Sequence, residues 1–111
     1  MVIIVFVTVP QDKADDLTKK IVNERLCACV NKIEAVTSYF WWENKIDQEK
    51  EALLIIKTQK ILYNKLKETI EQNHPYSVPE IIAMDASEVN EKYKQWLLTE
   101  TNPAKGESKI Q

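Results

Sequence analysis

The chain has 111 residues, 44% of them hydrophobic and 29% charged, with 15 basic and 17 acidic side chains for a net charge of −2. That length holds one domain, and the ordinary composition excludes disordered, collagen-like and membrane-spanning classes. The lysines are scattered and form no phosphate-neutralising stripe, so no nucleic-acid partner is expected.

Val2 to Val9 is a nearly unbroken, β-branched run closed by Pro10, the pattern of a central strand buried on both faces. No basic segment precedes it and a charged stretch follows, so no signal peptide or membrane anchor is expected. Asp12 is placed to cap a helix ending near Arg25, with Ala14, Leu17, Ile21 and Val22 on one face.

Leu26 to Trp42 favours extended structure, interrupted by polar Asn31, Lys32 and Glu34, and Lys45 to Thr58 repeats the tendency. Glu43 and Asn44 between them suit a tight turn with a left-handed position at Asn44, making one long hairpin. Cys27 and Cys29 are expected on one strand face. With no other cysteines, they fit a reducing, cytoplasmic compartment better than a disulfide framework.

Lys60 to Asn73 has helical spacing through Leu62, Leu66 and Ile70 and stops before Pro75. A short strand over 80–86 follows. Asn90 or Ser87 is placed to cap a last helix with Val89, Tyr93, Trp96 and Leu97 facing inward. The only glycine, Gly106, falls in a polar tail, so P-loop and dinucleotide-binding turns are excluded. The domain is expected over 1–100 and a frayed tail over 101–111.

The order β, α, β, β, α, β, α predicts an α+β fold. Its first six elements make a ferredoxin-like βαββαβ sandwich, followed by an extra C-terminal helix. About 17 residues from Leu26 to Trp42 would extend some 55 Å, too long for a domain of about 13 Å radius, so the strand must bend or protrude. A bulge near Asn31 to Glu34 supplies the bend. Beyond it Tyr39, Phe40, Trp41 and Trp42 must point to both faces of the ribbon, which one copy cannot cover. An obligate oligomer with paired sheet edges is expected.

The blocks Thr8-Val9-Pro10, Arg25 to Asn31, Ser38 to Ile46, Ile56-Lys57-Thr58 and His74-Pro75-Tyr76-Ser77-Val78-Pro79-Glu80-Ile81, with Tyr93 and Trp96, resemble the CutA divalent-cation tolerance family over roughly residues 2 to 100. The resemblance implies a homotrimer joined through its hairpin arms and a link to tolerance of copper or another divalent cation. Enzyme activity and an organic cofactor are not expected. The pattern differs at Asn44, usually Gly in the family, and at Phe40, usually Tyr. Copper-binding members carry a Cys and a His doublet where this chain has Val7 and Asn73.

Of that ligand set His74 remains, the chain's only histidine, with Cys29 at the family's usual cysteine position as the second candidate metal ligand. Against ligation stand a helix-end capping role for His74 and core filling by the cysteines. Lys57 and Glu80 are candidates for a charged pair lining a cleft between subunits, as in PII-like signalling trimers, against a lysine that merely reaches solvent. Glu49 and Glu51 are expected on a solvated hairpin face. No nucleophile elbow or metalloprotease helix is present.

Overall fold

A computed structural model describes residues 1–101. The elements run β1 (Val2–Pro10), α1 (Gln11–Asn23), β2 (Cys29–Trp42), β3 (Lys45–Gln59), a 3₁₀ turn (Lys60–Leu62), α2 (Tyr63–Asn73), β4 (Ile81–Asp85) and α3 (Glu91–Glu100). The fold is mixed α+β, one antiparallel sheet in the order β2-β3-β1-β4 with three helices. The first six elements keep the expected βαββαβ order.

Alternation along the strands sorts side chains onto two faces. Val5, Val7 and Val9 of β1 and Ala52, Leu54 and Ile56 of β3 point to one face and are fully buried with Ala14 and Ile21 of α1 and Leu66 and Ile70 of α2. Each buried valine, leucine or isoleucine among them contributes about 1.5–3 kcal/mol by leaving water. On the opposite face Ile4, Phe6 and Ile55 are only half-buried, and Ile82 and Met84 of β4 are exposed. So β1 is central in the sheet, but only its helix-covered face is closed.

Several boundaries shift for local reasons. The helix α1 begins directly after Pro10 without a side-chain cap, Asp12 serving as first-turn acid, and it ends at Asn23 before Arg25 turns left-handed at φ 57°. Val22 is exposed. The strand β2 starts at Cys29, not Leu26, because the chain bends at Ala28, leaving Cys27 buried in the core while Cys29 begins the strand on the open face. The two thiols therefore do not share a face. The first residues of the expected second helix form the 3₁₀ turn.

The hairpin register is continuous from Trp42↔Lys45 to Val36↔Glu51, breaks between Ile33 and Val36, and resumes at Ile33↔Leu53. This is the expected bulge, displaced toward Glu34 and Ala35, with Ala35 at φ 60°. Glu43 and Asn44 both take positive φ, 49° and 64°, the signature of a type I′ turn.

The last helix departs most from expectation. Asn90 does cap it, its side chain accepting from the Lys92 N–H at 3.2 Å. Only Leu97 is fully buried, whereas Tyr93 and Trp96 are 38% and 44% exposed. Thr101, expected to fray, is buried: its hydroxyl donates to the Leu97 carbonyl and accepts from the Gln59 amide, both at 2.8 Å. Gln59 lies on the open face of β3, so α3 crosses that face at one end. The remaining tail positions lie outside the described residues. No described helix is long and apolar enough to cross a membrane.

Candidate functional site

Three features lie outside the closed core: the aromatic ribbon, the segment from His74 to Glu80, and the polar group where α3 meets the open sheet face. On the ribbon, Trp41 is 72% exposed and Tyr39 70%, while Phe40 and Trp42 on the other face are also open. The outer edge of the 14-residue β2 pairs with nothing in the described chain. A long apolar edge of this kind is a template for pairing with another strand.

The His74 segment is ordered by its own polar contacts. The His74 Nε2–H donates to the Thr8 carbonyl at 2.8 Å, and Nδ1 accepts from the Tyr76 N–H at 3.1 Å, which fixes a neutral ring with both nitrogens engaged. The ring also packs against Tyr76, with centroids 4.8 Å apart. Tyr76 Oη donates to Glu51 at 2.9 Å. Burial, then Glu51 and Glu49, push the Tyr76 hydroxyl well above its ordinary pKa. Glu51, expected on a solvated face, is only 3% exposed. Sequence reading missed this pair, because the burying partner lies 25 positions away. The one available signal was Tyr76 itself, an amphipathic ring in a polar loop.

The third group forms around Lys57. Register places Cys29 and Ile4 directly opposite it on the two neighbouring strands, sharing its face. The Cys29 thiol lies within reach of the Tyr93 hydroxyl, and burial, followed by that thiol, raises the hydroxyl's pKa. Tyr93 in turn packs against Trp96, ring centroids 5.4 Å apart. Burial holds Cys27 protonated, its pKa pushed up to about 12, with a further contribution from Cys29.

The expected pairs are not brought together within one copy. Thr8, which holds His74, lies four residues along from the level of Cys29 and two strands across, roughly 13 Å by 10 Å. Lys57 and Glu80 are offset by a similar step, since Ile81 pairs with Val7 while Lys57 pairs with Ile4. Among the described residues neither forms an ion pair. No three His, Cys, Asp or Glu side chains of the described residues gather as a metal site. The donors of one copy therefore do not fit a resident metal.

This chain matches the family model described as CutA1 divalent ion tolerance protein over residues 3–100. It belongs to that family. A CutA relative from Pyrococcus horikoshii, described as a divalent-cation tolerance protein, is 45% identical over 100 residues, covering 89% of this chain and 97% of the relative. Protein CutA 1, chloroplastic, of Oryza sativa is 44% identical over 89% of this chain, which spans 56% of that longer protein. Among solved structures, CutA1 from Oryza sativa superposes with a TM-score of 0.88 at 42% identity, covering 91% of this chain and 94% of the other. CutA from Archaeoglobus fulgidus, described as periplasmic, gives 0.89 at 26% identity, covering 92% and 100%. The CutA match spans both sheet faces and reaches the end of α3.

Proposed function

We propose that this CutA-family chain acts as a non-enzymatic divalent-ion tolerance protein in the form of a homotrimer. The observation that carries the assembly is the ribbon, where Tyr39 and Trp41 on one face and Phe40 and Trp42 on the other stand exposed beside an unpaired β2 edge. A monomer seldom keeps such a patch in water, and pairing of edges between copies removes it. Sedimentation velocity at low micromolar concentration tests this. A species of three times 12.9 kDa is expected, and a monomer with tryptophans open to quencher overturns the reading.

For the cations, weak contact shared between copies is the reading the donors support. His74 must release either Thr8 or Tyr76 to ligate a metal, and Cys29 of the same copy is too far away to join it. Copper or another divalent ion held by Cys29 and His74 is thus held across a subunit boundary. Copper titration of wild type, His74→Ala and Cys29→Ala checks this, and equal uptake by all three removes both residues as ligands. Two free thiols favour a reducing location such as the cytoplasm.

A second reading is favoured by Lys57, half-buried and without an ion-pair partner among the described residues. A trimer whose clefts carry Lys57 and Glu80 can sense a small charged metabolite in the manner of PII-like proteins. A thermal-shift screen of organic anions against divalent metals separates the two, since stabilisation by metals alone rejects the sensor.

A further inference from the structure

The ribbon leaves the sheet at a single level. Pro10↔Glu51 is the last pair of β1 with β3, and Val36↔Glu51 is the first pair of the hairpin beyond its break, so outward of Glu51 the two hairpin strands pair only with each other among the described residues. From there to Trp42↔Lys45 the arm is roughly 20 Å long. A tilt of about 15° at the root moves its tip by about 5 Å, the spacing of two paired strands. An arm that tilts so far loses its register against any edge it docks on.

The root is also where the hairpin can bend. Between Ile33↔Leu53 and Val36↔Glu51, Glu34 and Ala35 of β2 face a single residue of β3, Ala52. Such a bulge takes an amide out of the ladder, and that N–H must find another acceptor. Ala35, held at φ 60°, donates its N–H to the side-chain carbonyl of Gln11. Gln11 opens α1 directly after Pro10; the helix starts without a side-chain cap, and this carbonyl serves the neighbouring strand instead. One turn further along α1, Asp15 accepts from the Lys32 ammonium at 2.6 Å, and Lys32 reaches Glu34 at 3.6 Å. Lys32 pairs with the core residue Leu54 and so points to the helix-covered face, toward α1. At the same level of the sheet Tyr76 holds Glu51. Both strands of the root are tied down, β3 by the loop after α2 and β2 by the first turns of α1.

We infer that Gln11 is a positioning residue for the ribbon: it is the catch of a hinge at Glu34 and Ala35, and it holds the arm at the angle from which it docks on neighbouring copies. The inference rests on the assembly reading above and adds what prepares one copy for it. The catch is the Gln11 bond rather than the ion pair, because Asp15 is open to water and the pair is screened by salt. Without Gln11 the exposed bulge amide turns to water, which satisfies it but fixes no angle. An arm ordered before contact lowers the ordering cost of association, so the effect falls on how fast copies join.

The test uses the full chain as wild type, as Gln11→Met, which keeps the length and removes the carbonyl acceptor, and as Gln11→Glu, which restores one. Gln11 is exposed, so neither substitution touches the core. Amide exchange followed by NMR should show the Ala35 N–H protected in wild type, exchanging about five-fold faster or more in Gln11→Met, and protected again in Gln11→Glu, with Val5 and Leu54 unchanged. On dilution from urea to nanomolar chain concentration, where encounter limits assembly, the concentration-dependent phase of tryptophan fluorescence should slow about five-fold in Gln11→Met and recover in Gln11→Glu. The concentration-independent folding phase should keep its rate. An Ala35 amide that exchanges alike in wild type and Gln11→Met overturns the catch. Equal association rates in the two overturn its role in docking, and a slowing of both phases together assigns Gln11 to folding; either result removes the inference. A wild type that stays monomeric overturns the assembly reading instead, and Gln11-dependent protection of Ala35 in that monomer still supports the hinge and its catch.

Discussion

Tyr76 reaches back 25 positions to place its hydroxyl on the buried Glu51 carboxylate, tying the loop after α2 to the point where the ribbon enters the sheet. Removing that donor strands a carboxylate away from water. Tyr76→Phe is expected to cost about 1–3 kcal/mol, read as a lower urea midpoint at one fixed protein concentration, as the proposed assembly requires. In a Glu51→Leu background the same substitution should cost about 0.5 kcal/mol or less, because the coupling is gone. Equal costs in both backgrounds show that Tyr76 acts by packing alone.

The same pair sets an alkaline limit. Burial, Glu51 and Glu49 raise the folded-state pKa of Tyr76, so the folded chain holds its phenolic proton more tightly than the unfolded chain does. A raised pKa means that the stabilisation is complete below the unfolded value of about 10 and is lost as pH climbs from there through the folded value. Stability of the wild type should fall above about pH 10, with a shallower slope in Tyr76→Phe. Identical slopes between pH 9 and 11.5 would show that this phenol does not contribute.

How far sequence reaches is visible in these residues. The order of elements along the chain, the hairpin, the bulge and the Leu62, Leu66, Ile70 face were legible because each depends on neighbours within a turn or a pleat. The burial of Glu51 and the open-face position of α3 were not, since both depend on contacts between residues far apart in the chain. Tyr93 and Trp96 read as inward because apolar spacing reports that a helix has a preferred face. It does not report whether one copy of the chain is enough to cover that face. At Cys27 and Cys29, two-residue spacing implied a shared face, and one bend at Ala28 separated them.

That bend makes the thiols chemically unequal. Cys27, buried and with its pKa pushed up to about 12, is expected to resist disulfide-exchange reagents in the native state. Cys29 is only half-buried, so native labelling should reach one thiol per chain at most and vanish in Cys29→Ser. Both should react in denaturant. Native labelling that persists in Cys29→Ser would contradict the core position of Cys27.

Three further strained positions offer a direct gain. Ala35 sits at φ 60° in the exposed bulge, and a side chain with Cβ pays for that region about 1–2 kcal/mol relative to an unstrained conformation. Ala35→Gly removes the clash at the expense of greater freedom in the unfolded chain, leaving a net stabilisation of about 0.5–1 kcal/mol. At the hairpin tip Glu43 and Asn44 both hold positive φ in the type I′ turn, for which Asn-Gly is the preferred pair. Glu43→Asn combined with Asn44→Gly should raise stability by a comparable amount, about 0.5–1 kcal/mol. The two sites lie at opposite ends of the ribbon and share no partner, so their effects on the urea midpoint should add. Ala35→Val is the control. A β-branched residue resists the left-handed region more strongly than Ala, and a variant as stable as wild type would show that the bulge relaxes rather than holds Ala35 there.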